Sequence, residues 1–324
     1  MTTWLLRRIL QALLIVGAMS VTVFVAVNVI GDPVEVLISP EATQEERARL
    51  IASLGLDQPL WKQYLNFVSD ALRGSLGNSF VYNEPALGLV FSRLPATLEL
   101  AVLALLIAIL VGIPLGLYAG LNPDSKASKT IMAGSILGFS LPTFWVGLVM
   151  IMVFAVQLGW LPSSGRGQTV EVFGVRWSFL TADGLQHMLL PAVNLALFKL
   201  SMVLRLTRAG TRETLSMDFV KFARAKGLKP ARVIGVHVLK NIMIPIVTVL
   251  GLELGSLIAF AVVTETIFDW PGMGKLIVDS IYVLDRPVIV AYLMMIVLLF
   301  VTLNLIVDIL YSVLDPRVRL ESRT

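Results

Sequence analysis

The chain contains no cysteine and only two histidines, His187 and His237. The first absence excludes disulfides, thiolate nucleophiles and cysteine-held metals. The second leaves too few imidazoles, too far apart in the chain, for a histidine metal cluster. Charge is scarce too: 15% of the 324 residues are Asp, Glu, Lys or Arg, against about 25% in soluble domains. No Gly-x-x-x-x-Gly-Lys-Ser/Thr phosphate loop is present. The nearest look-alike, Gly272-Met273-Gly274-Lys275-Leu276, lacks the spacing and the hydroxyl, so the chain does not hydrolyse ATP through that device. What is abundant is apolar: 56% of residues are hydrophobic and mean hydropathy is +0.83. That balance describes an integral membrane protein. The net charge of +4 then reflects cationic cytoplasmic loops rather than a nucleic-acid partner.

Six apolar runs reach spanning length, about 20 residues. They lie near Ile9–Ile30, Ala96–Leu121, Ile131–Leu158, Met188–Leu206, Ile242–Phe268 and Pro287–Val313. The first follows Arg7 and Arg8 but exceeds the usual apolar core of a signal peptide, about 7–15 residues, so it is read as a retained span. Cations concentrate in alternate connections. Lys126 and Lys129 separate spans two and three, nine Lys or Arg residues from Arg205 to Lys240 separate four and five, and Arg317, Arg319 and Arg323 follow the sixth. The positive-inside rule puts both termini and the basic loop in the cytoplasm. The expected architecture is all-α: a first span over residues 1–30, an extracytoplasmic helical segment over 31–95, a spanning core over 96–313 with a cytoplasmic loop at 205–241, and a tail over 314–324.

Within 31–95, Ser39-Pro40-Glu41 reads as a helix start, with Leu50, Ile51 and Leu54 forming a stripe. Pro59 opens a second amphipathic helix with Leu60, Tyr64, Leu65, Val68 and Leu72 on one side, ended by Gly74. Such a segment is a cap on the outer mouth or a helix pair along the interface; a dedicated binding site is the alternative.

The spans carry Gly112-x-x-x-Gly116, Gly134-x-x-x-Gly138 and Gly251-x-x-x-Gly255, spacings that let helix backbones approach closely. Pro114 and Pro142 lie inside spans and either kink them or are simply tolerated. Lys199 in the fourth span and Glu253 in the fifth each cost about 2.5–3.5 kcal/mol at a helix centre. They either pair or act separately, Lys199 reaching toward the cytoplasm and Glu253 lining a path. Asn194, on nearby turns of the helix carrying Lys199, and Glu265 complete the intramembrane polar set; Asp308 sits near the inner end of the sixth span.

The basic loop has its own design. Ser216 is placed to cap a short helix and Asp218 suits its positive end. Phe219, Phe222 and Ala223 share a face at i, i+3, i+4, and Gly227 stops the helix. Pro230 starts the next helix, which runs through His237 and Asn241 into the fifth span. A capped amphipathic helix under the membrane is a docking element, a solvated charge run, or a patch for lipid headgroups.

"ARAKGL" with "HVLKNIMIP" resembles the cytoplasmic loop, often called the EAA loop, of ABC-importer permeases of the dipeptide, oligopeptide and nickel branch. "GDP" at 31–33, "LGLDQPLWKQY" at 54–64, "RLPATLELA" at 93–101, "ETIFDWPGMGKL" at 265–276 and "DPRVR" at 315–319 are similar to that family, so the likeness covers nearly the whole chain. Lys221 stands where the broader superfamily has Glu, and His237 and Lys240 replace an Ile and a Pro. Glu253, where a neutral amide is more usual, and Lys199 are departures. The resemblance implies binding-protein-dependent import across a bacterial or archaeal inner membrane. It makes Ser216, Asp218, Phe219, Phe222, Ala223, Arg224, Ala225 and Gly227 the segment that meets an ATPase. It also implies the partners: a second homologous permease subunit, two ATPase subunits that bind ATP and Mg, an extracytoplasmic substrate-binding protein, and membrane lipid. No cofactor is expected in this chain. Two other classes compete. A self-sufficient secondary transporter or channel would use Lys199 and Glu253 for coupling, but no inverted repeat is evident. A membrane-embedded enzyme would need a nucleophile–base pair or metal ligands that the spans do not offer.

Overall fold

The computed structural model describes residues 2–29, 34, 38, 41–53 and 55–314, and not the side chains of 2–5, 28–29, 252 and 308–314. Gly31–Pro33, Ser39–Pro40, Leu54, the side chain of Asp308 and the motif at 315–319 lie outside the described residues. Helix dominates: α1 (Thr2–Val29), α2 (Gln44–Ser53), α3 (Leu60–Leu72), α4 (Ala86–Leu121), α5 (Lys126–Ser140), α6 (Thr143–Met150), α7 (Ala182–Ser216), α8 (Asp218–Ala225), α9 (Leu239–Ile267), α10 (Met273–Tyr282) and α11 (Arg286–Leu314). A hairpin, β1 (Val170–Val172) with β2 (Val175–Trp177), pairs Val170 with Trp177 in antiparallel register. By length and composition five described helices can cross a membrane, or six if one bent pair counts as a single span.

That pair is the third apolar run, and here a single span gives way to two pieces. Residues Lys126–Ser140 and Thr143–Gln157 meet at 107°. Pro142 offers no amide hydrogen and forces the residue before it out of the helical region, and Leu141 is extended at φ −82°, ψ 138°. Beyond α6 the chain widens into a π-helical stretch, Ile151–Gln157. Pro114, by contrast, sits in continuous α4. The fourth run is longer than its apolar part: α7 begins under Thr181, whose Oγ1 accepts from Gly184 N at 2.8 Å, and continues past Arg205 to Ser216. Much of the stretch 205–241 is therefore helix rather than loop.

The chain divides into two compact units, residues 1–95 with 271–302, and 96–270 with 303–324. In the first, α2 starts later than expected. Glu41 lies in a turn, and Thr43 and Glu46 form a reciprocal capping box, Glu46 Oε2 accepting from Thr43 N at 2.8 Å and Thr43 Oγ1 from Glu46 N at 3.3 Å. Helix α3 docks on α1, where Tyr64 and Phe67 ring Phe24 at 5.4 and 5.9 Å and the Tyr64 hydroxyl bonds Ser20 Oγ at 2.9 Å. Asp285, fully buried, accepts from Ser79 Oγ and from Phe80 N.

In the second unit α4 lies on α7 along a glycine ridge. A Cβ on Gly116 would come within 2.5 Å of the Leu204 carbonyl oxygen, and one on Gly120 within 2.7 Å of Thr211 Cβ. Only a hydrogen side chain permits that approach. The Gly251 end of a second spacing packs on Val307; in Gly134-x-x-x-Gly138 a Cβ on Gly134 would meet nothing within 4 Å, while one on Gly138 would lie 3.4 Å from Ser201 Oγ, where Ser135 and Ser201 each donate to the other's carbonyl across α5 and α7. Ala108, Val203, Ile242, Ile246 and Leu250 fill the core that α4, α7 and α9 share.

Candidate functional site

Helix α8 is short, basic and held on one edge. Val220 and Ala223 are buried against Val233 and Val238, with Leu117, Leu215 and Leu228 packed around them. Their small side chains let α8 lie close to the turns that lead into α9. The face expected from Phe219, Phe222 and Ala223 is therefore divided. Ala223 points into its own chain, while Phe219 and Phe222 are exposed together with Arg224 and Ala225. Lys226 Nζ lies 4.6 Å over the Phe222 ring. The outward edge is thus aromatic and cationic.

The ends of α8 are fixed differently from expectation at one side and as expected at the other. Ser216 does not cap it. Ser216 closes α7, its Oγ donating to Glu213 O at 2.7 Å, and extended Met217 is the cap residue without a side-chain bond. One residue separates the two helices, so the Ser216 hydroxyl belongs to the helix that ends there. Asp218 occupies the first turn, where Lys221 donates to its Oδ1 at 2.8 Å. That bond, and the Lys221 charge behind it, hold the carboxyl below its ordinary pKa. At the far end Gly227 adopts φ +74°. Gly227 N bonds Arg224 O at 2.9 Å and Leu228 N bonds Ala223 O at 3.3 Å, the paired bonds of a Schellman stop. The next helix opens at Pro230, passes through a π turn, Val233–Val238, and becomes α9. Asn241 Nδ2 donates to Thr214 Oγ1 at 3.1 Å, joining the helices on either side of α8.

Further along the same two helices, Lys199 Nζ donates to Glu253 Oε2, and to Ser256 Oγ at 2.8 Å. Ser256 Oγ in turn reaches Glu253 Oε2 at 2.6 Å. The two span charges are therefore paired, the Lys199 side chain nearly buried and that of Glu253 about a quarter exposed. The remaining polar residues do not join them. Asn194 Nδ2 donates to Thr264 Oγ1 at 3.2 Å, while its buried Oδ1 has no hydrogen-bond partner. Glu265, wholly buried, accepts from Thr97 Oγ1 at 2.6 Å. The four candidates form three separate contacts.

One further polar centre escaped the sequence reading. Glu99, buried in α4, accepts from Arg166 Nη2 at 2.7 Å and from Ser178 N at 2.6 Å. Arg166 also donates to Ser178 Oγ and to the Arg176 carbonyl, tying the β1–β2 hairpin to α4. The signal was available, since Glu99 is a carboxylate in an apolar run, as Glu253 is. Among the described residues no group of three or more His, Cys, Asp or Glu side chains is placed to hold a metal ion.

The chain matches two family models: "Binding-protein-dependent transport system inner membrane component" over residues 112–320, and the N-terminal model of the same transport-system membrane component over 1–101. It is 40% identical over 302 residues to the di/tripeptide transport system permease protein DppB of Pseudomonas aeruginosa, covering 89% of this chain and 90% of that one. It is 36% identical to the dipeptide transport system permease protein DppB of Escherichia coli K12 and 37% to the oligopeptide transport system permease protein AppB of Bacillus subtilis, covering 98% of this chain and 99% of each. Among solved structures, the inward-facing MetNI methionine ABC transporter matches with a TM-score of 0.53 at 15% identity, over 70% of this chain and 96% of that one.

Proposed function

The chain belongs to the binding-protein-dependent transport system inner membrane components, among the permeases of ABC peptide importers; on that premise we propose how it works. It forms half of a translocation pathway for peptides, beside a second permease subunit, and receives cargo from an extracytoplasmic binding protein. Two separate ATPase subunits bind ATP and Mg and supply the energy. Both termini and α8 face the cytoplasm, and the segment over 31–95 faces outward. The charge bias of the connections supports that orientation.

Helix α8 is the contact with an ATPase. The observation that carries this reading is its division into a buried edge, Val220 and Ala223, and an exposed edge, Phe219, Phe222 and Arg224. A helix anchored on one side by its own chain passes displacement into α7 and α9, which flank it, rather than yielding. Phe222→Asp and Arg224→Glu, in the importer assembled with its partner subunits, are expected to lower cargo-stimulated ATP hydrolysis at least tenfold while membrane insertion persists. Phe222→Tyr is expected to retain it. Unchanged stimulation in the first two variants would refute the contact. Orientation is tested by a cysteine at Gln44, unique in a chain with none, which an impermeant maleimide is expected to label in intact cells. Labelling only after permeabilisation would reverse the topology.

A further inference from the structure

Helix α3 carries more apolar surface than its partner covers. At about 100° per residue, Phe67, Leu60, Ala71, Tyr64, Val68, Trp61, Leu72 and Leu65 occupy one arc of about 160°. Lys62, Asn66, Ser69, Asp70 and Gln63 fill the rest. One half of the arc is used: Tyr64 and Phe67 pack on Phe24 and Ser20 of α1. The other half, Trp61, Leu65 and Leu72, is exposed, as is Leu60 at the start of the helix.

The position of the docked half fixes the depth of the exposed half. Ser20 and Phe24 are not at the end of α1. They lie inside its apolar run, Leu6–Val27. Ser20 is seven residues before Val27, about 10 Å at 1.5 Å per residue. A helix whose Tyr64 hydroxyl reaches that level lies beside the span, within the outer part of the hydrocarbon and its boundary. At the same level α1 exposes Val21 and Val25, so the open face of α3 continues the apolar surface of a helix long enough to span. Neighbouring α2 differs: it is polar, with Glu45, Glu46, Arg47 and Arg49, and suits water.

We propose that α3 is a lipid-docking helix, lying along the outer leaflet with Trp61, Leu65 and Leu72 among acyl chains and Lys62, Asn66 and Asp70 toward the headgroups and water. Trp at this boundary is the usual anchor, apolar over its ring and polar at its indole N–H. The helix thereby holds the start of the outward segment at a fixed height on α1. The inference rests on α1 crossing the membrane and on the proposed orientation with residues 31–95 outward, and not on the contact between α8 and an ATPase.

The test uses the whole importer in phosphatidylethanolamine/phosphatidylglycerol nanodiscs, with single nitroxides on cysteines at Leu65, Leu72 and Asn66. Oxygen is expected to relax the labels at Leu65 and Leu72 several-fold more than a water-soluble nickel chelate does, and the order is expected to invert at Asn66. Nickel access at Leu65 equal to that at Asn66 would overturn the proposal, because the face would then be in water. Protection of Leu65 from both reagents would overturn it too, because protein would then cover the face. A second measurement needs no variant. A photoactivatable acyl chain in the bilayer is expected to label the peptide Leu60–Leu72 of the unmodified chain. Labelling of α1 without labelling of that peptide would refute the docking.

Discussion

Neutralising Lys199 tests whether the pair it forms with Glu253 acts as a unit. Lys199→Met removes the ammonium and leaves the carboxylate with Ser256 as its one remaining side-chain donor among the contacts described. Glu253→Gln leaves an ammonium in an apolar helix pair. Breaking a buried pair from one side costs about 3–5 kcal/mol. The Glu253 side chain is about a quarter exposed, which brings the expectation to about 2–4 kcal/mol for each single variant. If the charges act independently, the double variant loses the sum, about 4–8 kcal/mol by the same values. If they act as a pair, the second substitution removes a charge already stranded, and the double variant loses about as much as one single or less. The assay is a double-mutant cycle on the thermal unfolding of the assembled importer, with cargo transport measured in parallel. Additive losses, with coupling below about 0.5 kcal/mol, would refute the pairing as an energetic unit. Recovery in the double variant, in both stability and transport, is the expected result.

Gly116→Ala places a methyl 2.5 Å from the Leu204 carbonyl oxygen and is expected to cost about 1–3 kcal/mol, whereas Gly134→Ala meets nothing and is expected to be neutral or stabilising by up to about 1 kcal/mol; assembly yield and melting temperature of the two, side by side, decide it. Arg166→Met strands the buried Glu99 carboxylate and is expected to cost about 3–5 kcal/mol, read as a lowered melting temperature and faster proteolysis of the β1–β2 hairpin, while Arg166→Met with Glu99→Gln recovers part of the loss.

The long elements were legible because they depend on local chemistry. Apolar length reveals the spans, Gly227 reveals a helix stop, and Pro230 reveals the next start. A charge in an apolar run is visible as a cost, so Lys199 and Glu253 were found. Their meeting was one of two readings the sequence left open. It depends on how α7 and α9 are set against each other, which sequence spacing does not encode. The same limit hid the bond of Glu99 to Arg166, residues that come together only after the chain has folded back. The division of α8 was hidden for a different reason. Phe219, Val220, Phe222 and Ala223 form a broad apolar arc, and nothing in the sequence marks which part of it packs on the chain. Close approach to Val233 and Val238 selects the small residues, leaving the large ones outside. The third run shows the same weakness in another form. Pro142 announces a break, but 107° rather than a mild kink is set by what each half packs against.

These contacts give α8 a particular mechanical setting. The two helices that enter and leave it are joined at three levels: Thr214 to Asn241 near α8, Lys199 to Glu253 and Ser256 farther along, and Asn194 to Thr264 beyond. From Thr214 to Lys199 is about 22 Å of helix, and from Lys199 to Asn194 a further 7–8 Å or so. The glycine ridge of α4 adds a close seam along α7 through the same stretch. Side chains joined at one level permit a hinge; at three levels they resist both splaying and sliding, because each bond fixes height as well as separation. A displacement delivered at the exposed edge of α8 therefore reaches the middle of α7 and α9 as movement of a braced pair. The Lys199–Glu253 contact is the charged brace among the three. It is also the one whose loss would free the helices where the apolar surroundings offer nothing to replace it.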